Sequence, residues 1–339
     1  MKRARGTSIR HAAIALAVVA AAAACGTDGS SSATGAAEPR IAVLVGGASN
    51  AYQVAGVKAV QADAERLGVQ VDVFDAAFDA TKQYSQFQTA ITSGAYDGIL
   101  INPVDGSGVV PLVAQAKAAN IGVAAWNQPI GSDFTTPRPT VDGVVAQAML
   151  PLQRSGEITG ELVKKACAEA KADPCNVASL YYKKGSTYDT AITAGVEKAI
   201  ADSGSIKIVA GADTEATRQG GLAGAQTLLA GHDDITVMIG TSQAVTGAIP
   251  AVETAGRKVY LIGQALTKEG AAAVAGGDLF GGTQAMAGEE GKLAFEQLVK
   301  SIKDEPFEAG IDPGEFLKSA CVDGVVAANV ADCSFDFSG

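Results

Sequence analysis

From residue 40 almost to its end, the chain alternates short apolar runs with longer amphipathic stretches. A strand covered on both faces reads as a continuous apolar run, whereas a surface helix repeats its apolar residues every three or four positions. A chain that alternates the two builds parallel sheets with helices packed on them, an α/β architecture of the doubly wound kind. The pattern predicts strands at 41–45, 69–74, 98–101 and 121–125. Between the first two, Val54, Val57, Ala64 and Leu67 fall at helical spacing and stop at Gly68, where a helix C-cap favours glycine. After Trp126 the rhythm breaks: residues 127–151 contain Pro129, Pro137, Pro139 and Pro151, which remove backbone donors. A second series then predicts strands at 177–180, 206–209, 236–239 and 259–262. Two similar halves joined by an irregular crossing imply a cleft between lobes, where small ligands bind.

In doubly wound sheets the ligand lies beyond the carboxyl ends of the strands. Those ends read GGASNAYQ (46–53), residues 75–79, NPVD (102–105), WNQ (126–128), residues 181–188, GTSQ (240–243) and residues 263–264. Nearly all are amide, hydroxyl or aromatic, suited to neutral hydroxyls and to the flat face of a carbon skeleton. Trp126, the only tryptophan, is expected as a stacking platform for the ligand, the alternative being a core aromatic at the lobe edge. Asn50 and Asn127 are either ligand contacts or caps and turn formers, and Asp79 is either a contact or the start of a helix near Ala80. Asn102 and Asp105 read as helix-capping residues. Among Tyr181, Tyr182 and Tyr188, Tyr188 is the preferred contact. At least one of Thr241, Ser242 and Gln243 is expected to reach the cleft, and Gln264 stands at the next strand end. Residues 276–282 read as a turn and strand, with Gln284 beyond them near a hinge crossing.

The chain begins with Lys2, Arg3, Arg5 and Arg10, followed by an apolar run over 12–24 that ends at Cys25. A basic start, a short hydrophobic middle and small residues before the cut describe a secretory signal peptide over 1–24. Ala22, Ala23 and Ala24 before Cys25 resemble the lipobox of bacterial lipoproteins, with Ala22 where leucine is usual, so Cys25 is expected to carry the lipid. Residues 25–38 hold almost nothing to bury and read as a flexible tether. The four remaining cysteines form two local pairs, Cys167 with Cys175 and Cys321 with Cys333, which in an exported chain read as two disulfides. Neither pair has zinc-ribbon spacing, and no metal is expected. Loss of the four basic residues of the signal takes the formal net charge from -10 to -14, which argues against nucleic acid as a partner.

The run LINP at 100–103, the helix ending ADAERLG at 62–68 and GAIPAVETAG at 247–256 resemble the type I periplasmic binding proteins, in their ribose and simple-sugar branch. The resemblance runs from about Arg40 to Lys303. It implies two Rossmann-like lobes joined by a three-segment hinge, divided as 39–149 plus 287–305 and 150–286 plus 306–339. It further implies closure over a sugar or polyol and delivery to an ABC permease; a monomer is expected. Asn50 matches the family's ligand-binding asparagine, Tyr52 and Gln53 its stacking aromatics, and Asp79 a second polar contact. Trp126 and Asn127 stand where the family has an Asp-Arg pair; Thr190 stands near its arginine, Thr241 at its asparagine and Ala265 at its aspartate, and the late glutamine is displaced to Gln284. A charge-assisted bidentate contact is about twice as strong as a neutral one. Losing several implies a different hydroxyl pattern, such as that of a linear polyol or a deoxy compound.

Enzymatic classes fit poorly. After the signal segment the only histidine is His232, which excludes histidine triads and multi-histidine metal centres. No GxxxxGK[ST] or GxGxxG occurs, and no cofactor is expected. A receptor that presents ligand occupancy to a signalling partner is the alternative to uptake.

Overall fold

The computed structural model describes residues 38–48 and 50–338. The signal segment, Cys25 and the tether up to residue 37 lie outside the described residues.

Two six-stranded sheets organise the chain. The first contains β1 (Arg40–Val45), β2 (Gln70–Asp75), β3 (Gly98–Ile101), β4 (Gly122–Trp126), β5 (Val144–Ala148) and β11 (Gly310–Ile311), in the order β11-β5-β4-β3-β1-β2. The second contains β6 (Cys175–Tyr181), β7 (Ile206–Asp213), β8 (Ile235–Thr241), β9 (Tyr260–Leu266), β10 (Gly281–Gln284) and β12 (Val325–Val326), in the order β12-β10-β9-β8-β6-β7. Every pairing is parallel except the β10–β12 edge. In both sheets the order reverses beside the first strand, the arrangement that opens a crevice at the carboxyl ends.

Helices cover both faces, as the apolar runs require. In the first lobe α1 (Ala51–Leu67) and α9 (Ala287–Ile302) bury one face with Val60, Ala64, Phe295 and Leu298, while α2 (Ala80–Ser93) and α3 (Val110–Ala118) bury the other with Phe87, Leu112 and Val113. In the second lobe α4 (Leu152–Ala170) and α5 (Thr187–Ile200) cover one face. There, α6 (Arg218–Gly231), α7 (Ser242–Ala255) and α8 (Lys268–Gly276) cover the other. Gly68 ends α1 with φ at 66°, a left-handed geometry that a β-carbon resists.

All eight strands expected from the apolar runs are present, with edges moved by a few residues. Two expectations need correction. Residues 127–151 are not wholly irregular, because β5 lies inside them and joins β4. The last crossing comes after residue 306: Gly310 and Ile311 pair with β5, so the chain stays with the first sheet until Ile311. Three crossings therefore join the lobes: 149–151, 285–286, and the segment that begins at Asp312 and continues through α10 (Pro313–Phe316). Cys167 is bonded to Cys175 and Cys321 to Cys333, as the cysteine arithmetic anticipated.

Candidate functional site

The strand ends of the first lobe are held by their own polar residues. Asn50 caps α1 by accepting the Gln53 N–H at 3.1 Å, and Asp79 caps α2 by accepting that of Lys82 at 3.0 Å. Gln53 turns inward and accepts the Gly47 N–H at 2.8 Å. Asp75 accepts the N–H groups of Ala48 and Ala77, which hold its carboxyl below the usual range and tie two loops together. Those ties carry Ala77 and Phe78 into left-handed backbone at φ 52° and 60°. Phe78 is 55% exposed and leans on Gly47, where a β-carbon would collide with its ring. Asn102, which read as a cap, instead donates to the Trp126 carbonyl at 3.2 Å and to Asn127 Oδ1 at 3.1 Å. Asp105 does form a local turn, accepting the N–H groups of Ser107 and Gly108.

Trp126 corrects the expectation attached to it. The ring is 0% exposed and packs in the core between the sheet, α1 and α9; a β-carbon on Gly56 would strike it. Side chains alternate along a strand, and this one falls on the helix-covered face rather than at the opening. Tyr52 lies parallel to it, with centroids 6.5 Å apart and 11° between planes. The Tyr52 hydroxyl donates to Glu290 Oε2 at 2.6 Å, and Glu290 Oε1 accepts the Leu150 N–H at 3.3 Å. Asn127, at φ 65°, lies near both Tyr52 and Glu290 and tempers the rise of each pKa. Glu290 is 3% exposed and burial pushes its pKa up to about 8, with the nearby Asp336 adding to the rise. Burial and Glu290 also push the Tyr52 phenol well above its ordinary range.

In the second lobe Asp189 folds the 181–186 loop, accepting the N–H of Tyr182 at 3.1 Å, that of Lys183 at 2.7 Å and the Ser186 hydroxyl at 2.9 Å. Tyr188, the preferred aromatic contact, packs into the core beside α4, and burial raises its pKa. Tyr182 is the tyrosine left in the open, at 44% exposure. Thr241 caps α7. Ser242 is buried and bonds to Thr267, accepting its N–H at 3.0 Å, so it joins two loops and does not reach the opening. Gln264 is also buried. Gln284 donates to the Ser334 carbonyl at 2.8 Å and accepts from Ser319. Ala265, at φ 51°, donates its N–H to Thr283 Oγ1 at 2.9 Å.

The structure thus divides the expected residues. Asn50, Asp79 and Thr241 stand at strand ends outside the cores, each capping a helix, while Asn127 stands beside them with its Oδ1 held by Asn102 and Tyr52 lies nearby. Gln53, Trp126, Ser242, Gln264 and Gln284 are buried in the lobes or brace their loops, and Tyr188 is partly buried against the second-lobe core. Sequence reasoning missed Phe78, Glu290 and Phe337. Phe78 lay inside a strand-end segment that had been read out, whereas nothing local to Glu290 or Phe337 signals that α9 and the last residues return to this place. Glu290 also lines a cavity of about 20 Å³ where Leu150, Met286 and Asp312 bring all three crossings together. That space is water-sized and excludes a sugar, which makes it part of the hinge.

The two lobes are joined by three adjacent crossings, and the strand ends of each carry mainly uncharged hydrogen-bonding groups and one open aromatic ring. The chain belongs to the periplasmic binding protein domain family, which matches residues 41–306, and within it to the type I, simple-sugar branch. It is 26% identical over 280 residues to the ribose import binding protein RbsB of Escherichia coli (strain K12), spanning 82% of this chain and 90% of that protein. The fold matches an ABC transporter solute binding protein from Bacillus halodurans C-125 with bound myo-inositol, at TM-score 0.73, 21% identity and coverage of 88% and 98% of the two chains. It also matches one from Mycobacterium smegmatis with bound glycerol, at TM-score 0.70, 24% identity and coverage of 89% and 99%. These homologues are substrate-binding proteins of transporters, not enzymes.

Proposed function

We propose that this chain is the extracytoplasmic substrate-binding lipoprotein of an ABC importer, and that it captures a sugar, sugar alcohol or related neutral polar solute between its lobes. The observation that carries the reading is the chemistry of the strand ends. Asn50, Asn127 and Thr241 offer uncharged donors and acceptors, while Phe78 and Tyr182 offer open aromatic faces. Such a set suits hydroxyls on a compact carbon skeleton. Asp79 supplies one carboxylate oxygen beyond its capping bond, and Tyr52 the floor. Acylation of Cys25 would hold the molecule at the membrane, and a permease would read the closed form. Closing excludes water, so contacts from both lobes strengthen together and ligand shifts the population toward the closed state.

A thermal-shift screen of the mature chain tests the ligand class, because binding to the folded state raises the melting temperature by mass action. The panel is D-ribose, D-allose, myo-inositol, glycerol, amino acids and nucleosides. Stabilisation by a sugar or polyol is the expected result. Stabilisation by charged amino acids alone would sink the reading. Metabolic labelling with a palmitate analogue, lost in Cys25→Ser, tests the anchor.

A further inference from the structure

Beyond Cys333, whose disulfide to Cys321 fixes it to the second lobe, the chain runs on without regular structure, yet it is held at nearly every step. The Ser334 carbonyl accepts Gln284 Nε2 at 2.8 Å, and Phe335 packs on the second-lobe core. Asp336 accepts the Gly288 N–H in the first turn of α9. The Phe337 carbonyl accepts the Lys268 N–H, which begins α8, at 3.0 Å. Since α8 belongs to the second lobe and α9 to the first, one short peptide is bonded to both. The Phe337 ring is 5% exposed and clusters with Ala285 and Ala287. Tyr52 and Ala55 pack on that cluster from one lobe and Ala265 from the other. Phe337 meets Tyr52 edge-on at 5.1 Å. Tyr52 and Ala265 are the positions, one in each lobe, that the family resemblance gives to the ligand. The group lying between them is the chain's own side chain.

We propose that residues 334–338 are an intramolecular occupant of the inner end of the cleft, and that Phe337 competes with the ligand for Tyr52. The proposal rests on reading the cleft as the ligand site. Two features make the occupant displaceable. Its polar anchors on the helices are first-turn N–H groups, which water or a ligand oxygen satisfies equally well. Its docking also brings the Asp336 carboxyl into a partly buried place, where burial and the nearby Glu289 push Asp336 up and where Asp336 in turn adds to the rise of Glu290. A phenyl ring offers that seat only apolar contact, whereas a hydroxylated ligand adds hydrogen bonds to Asn50 and Asn127.

The full mature chain and its Phe337→Ala variant are compared by calorimetry against D-ribose, myo-inositol and glycerol. An occupied site raises the apparent Kd by the inverse of the free fraction, so a tail docked nine times in ten predicts binding about tenfold tighter in the variant. Phe337→Leu, which keeps most of the apolar volume, should fall between the two and serves if the alanine variant does not fold. Equal or weaker binding by the variants overturns the proposal. Amide exchange without ligand gives an independent reading. In the unsubstituted chain Gly288 and Lys268 should exchange at least about tenfold faster than the β9 amides, and faster again in Phe337→Ala. Gly288 and Lys268 as protected as β9 would make the tail permanent core and overturn the proposal. Should no probe bind either chain, the sugar reading fails by itself and the exchange result decides the fate of the tail.

Discussion

Glu290 keeps a proton in the folded chain that it releases on unfolding, since burial lifts its pKa from 4.5 to about 8. Between those values the unfolded state binds fewer protons, so stability falls as pH rises through that window and levels off above it. Each pKa unit is worth about 1.4 kcal/mol, which makes the loss on the order of a few kcal/mol. Urea unfolding at pH 5 and pH 8.5 should show this decline in the unsubstituted protein and much less of it in Glu290→Gln. An unchanged slope in the variant would assign the decline to another group. Gly56 makes the complementary case for packing. A methyl group there meets the rigid Trp126 ring, and Gly56→Ala should cost about 1–3 kcal/mol by overpacking, read from chemical denaturation. The position of Trp126 at a strand end was legible in the sequence, but its face was not. One residue of register decides whether such a side chain enters the core or the cleft, and a single tryptophan has no periodicity with which to fix it.

Two helix starts were legible as one of the readings open at Asn50 and Asp79, whereas the cap at Thr241 was not foreseen and Asn102 caps no described helix. A cap is a local event in which a polar side chain just after an apolar run accepts an N–H three residues on. Asn50, Asp79 and Thr241 all do so. Asp79→Ala should therefore lower stability by about 1 kcal/mol whether or not the residue touches ligand. Ligand affinity measured on the same variant separates the two roles. What could not be read were elements defined by distant partners. β5 hides among prolines, and only its pairing with β4 and with the two-residue β11 makes it a strand. The α9 pattern is visibly amphipathic, but its return to the first lobe is a matter of topology, which is why Glu290 went unnoticed. The Cys321–Cys333 bond encloses β12 and anchors the last segment. For a loop of this length the chain-entropy argument gives about 3 kcal/mol. A Cys321→Ser, Cys333→Ser double variant should unfold earlier by that amount in denaturant, while a variant of equal stability would mean that packing around Phe335 and Val325 suffices.

At the scale of the whole molecule, two series of apolar runs separated by a proline-rich break were enough to show two lobes. The hinge was visible only as a consequence of the family resemblance. The structure supplies its physical content: three crossings share one small void, and Glu290 ties α9 to Tyr52 on α1 and to the Leu150 N–H in the first crossing. Those bonds lie on the first-lobe side, whereas Phe134, in the β4–β5 connection, packs on the second-lobe core and accepts the Gln153 N–H, so a rotation of the lobes would have to break the Phe134 contacts as well as those around Phe337 and the crossings. A ligand that touches both sets of strand ends must then do two things at once. At a hundredfold excess over its Kd it stabilises the fold by about 2.7 kcal/mol, and it draws the lobes together. Small-angle scattering should find a smaller radius of gyration with any probe that raises the melting temperature. A probe that raised the melting temperature and left the radius unchanged would be held by one lobe alone, and the clamp would not be the working part of the molecule.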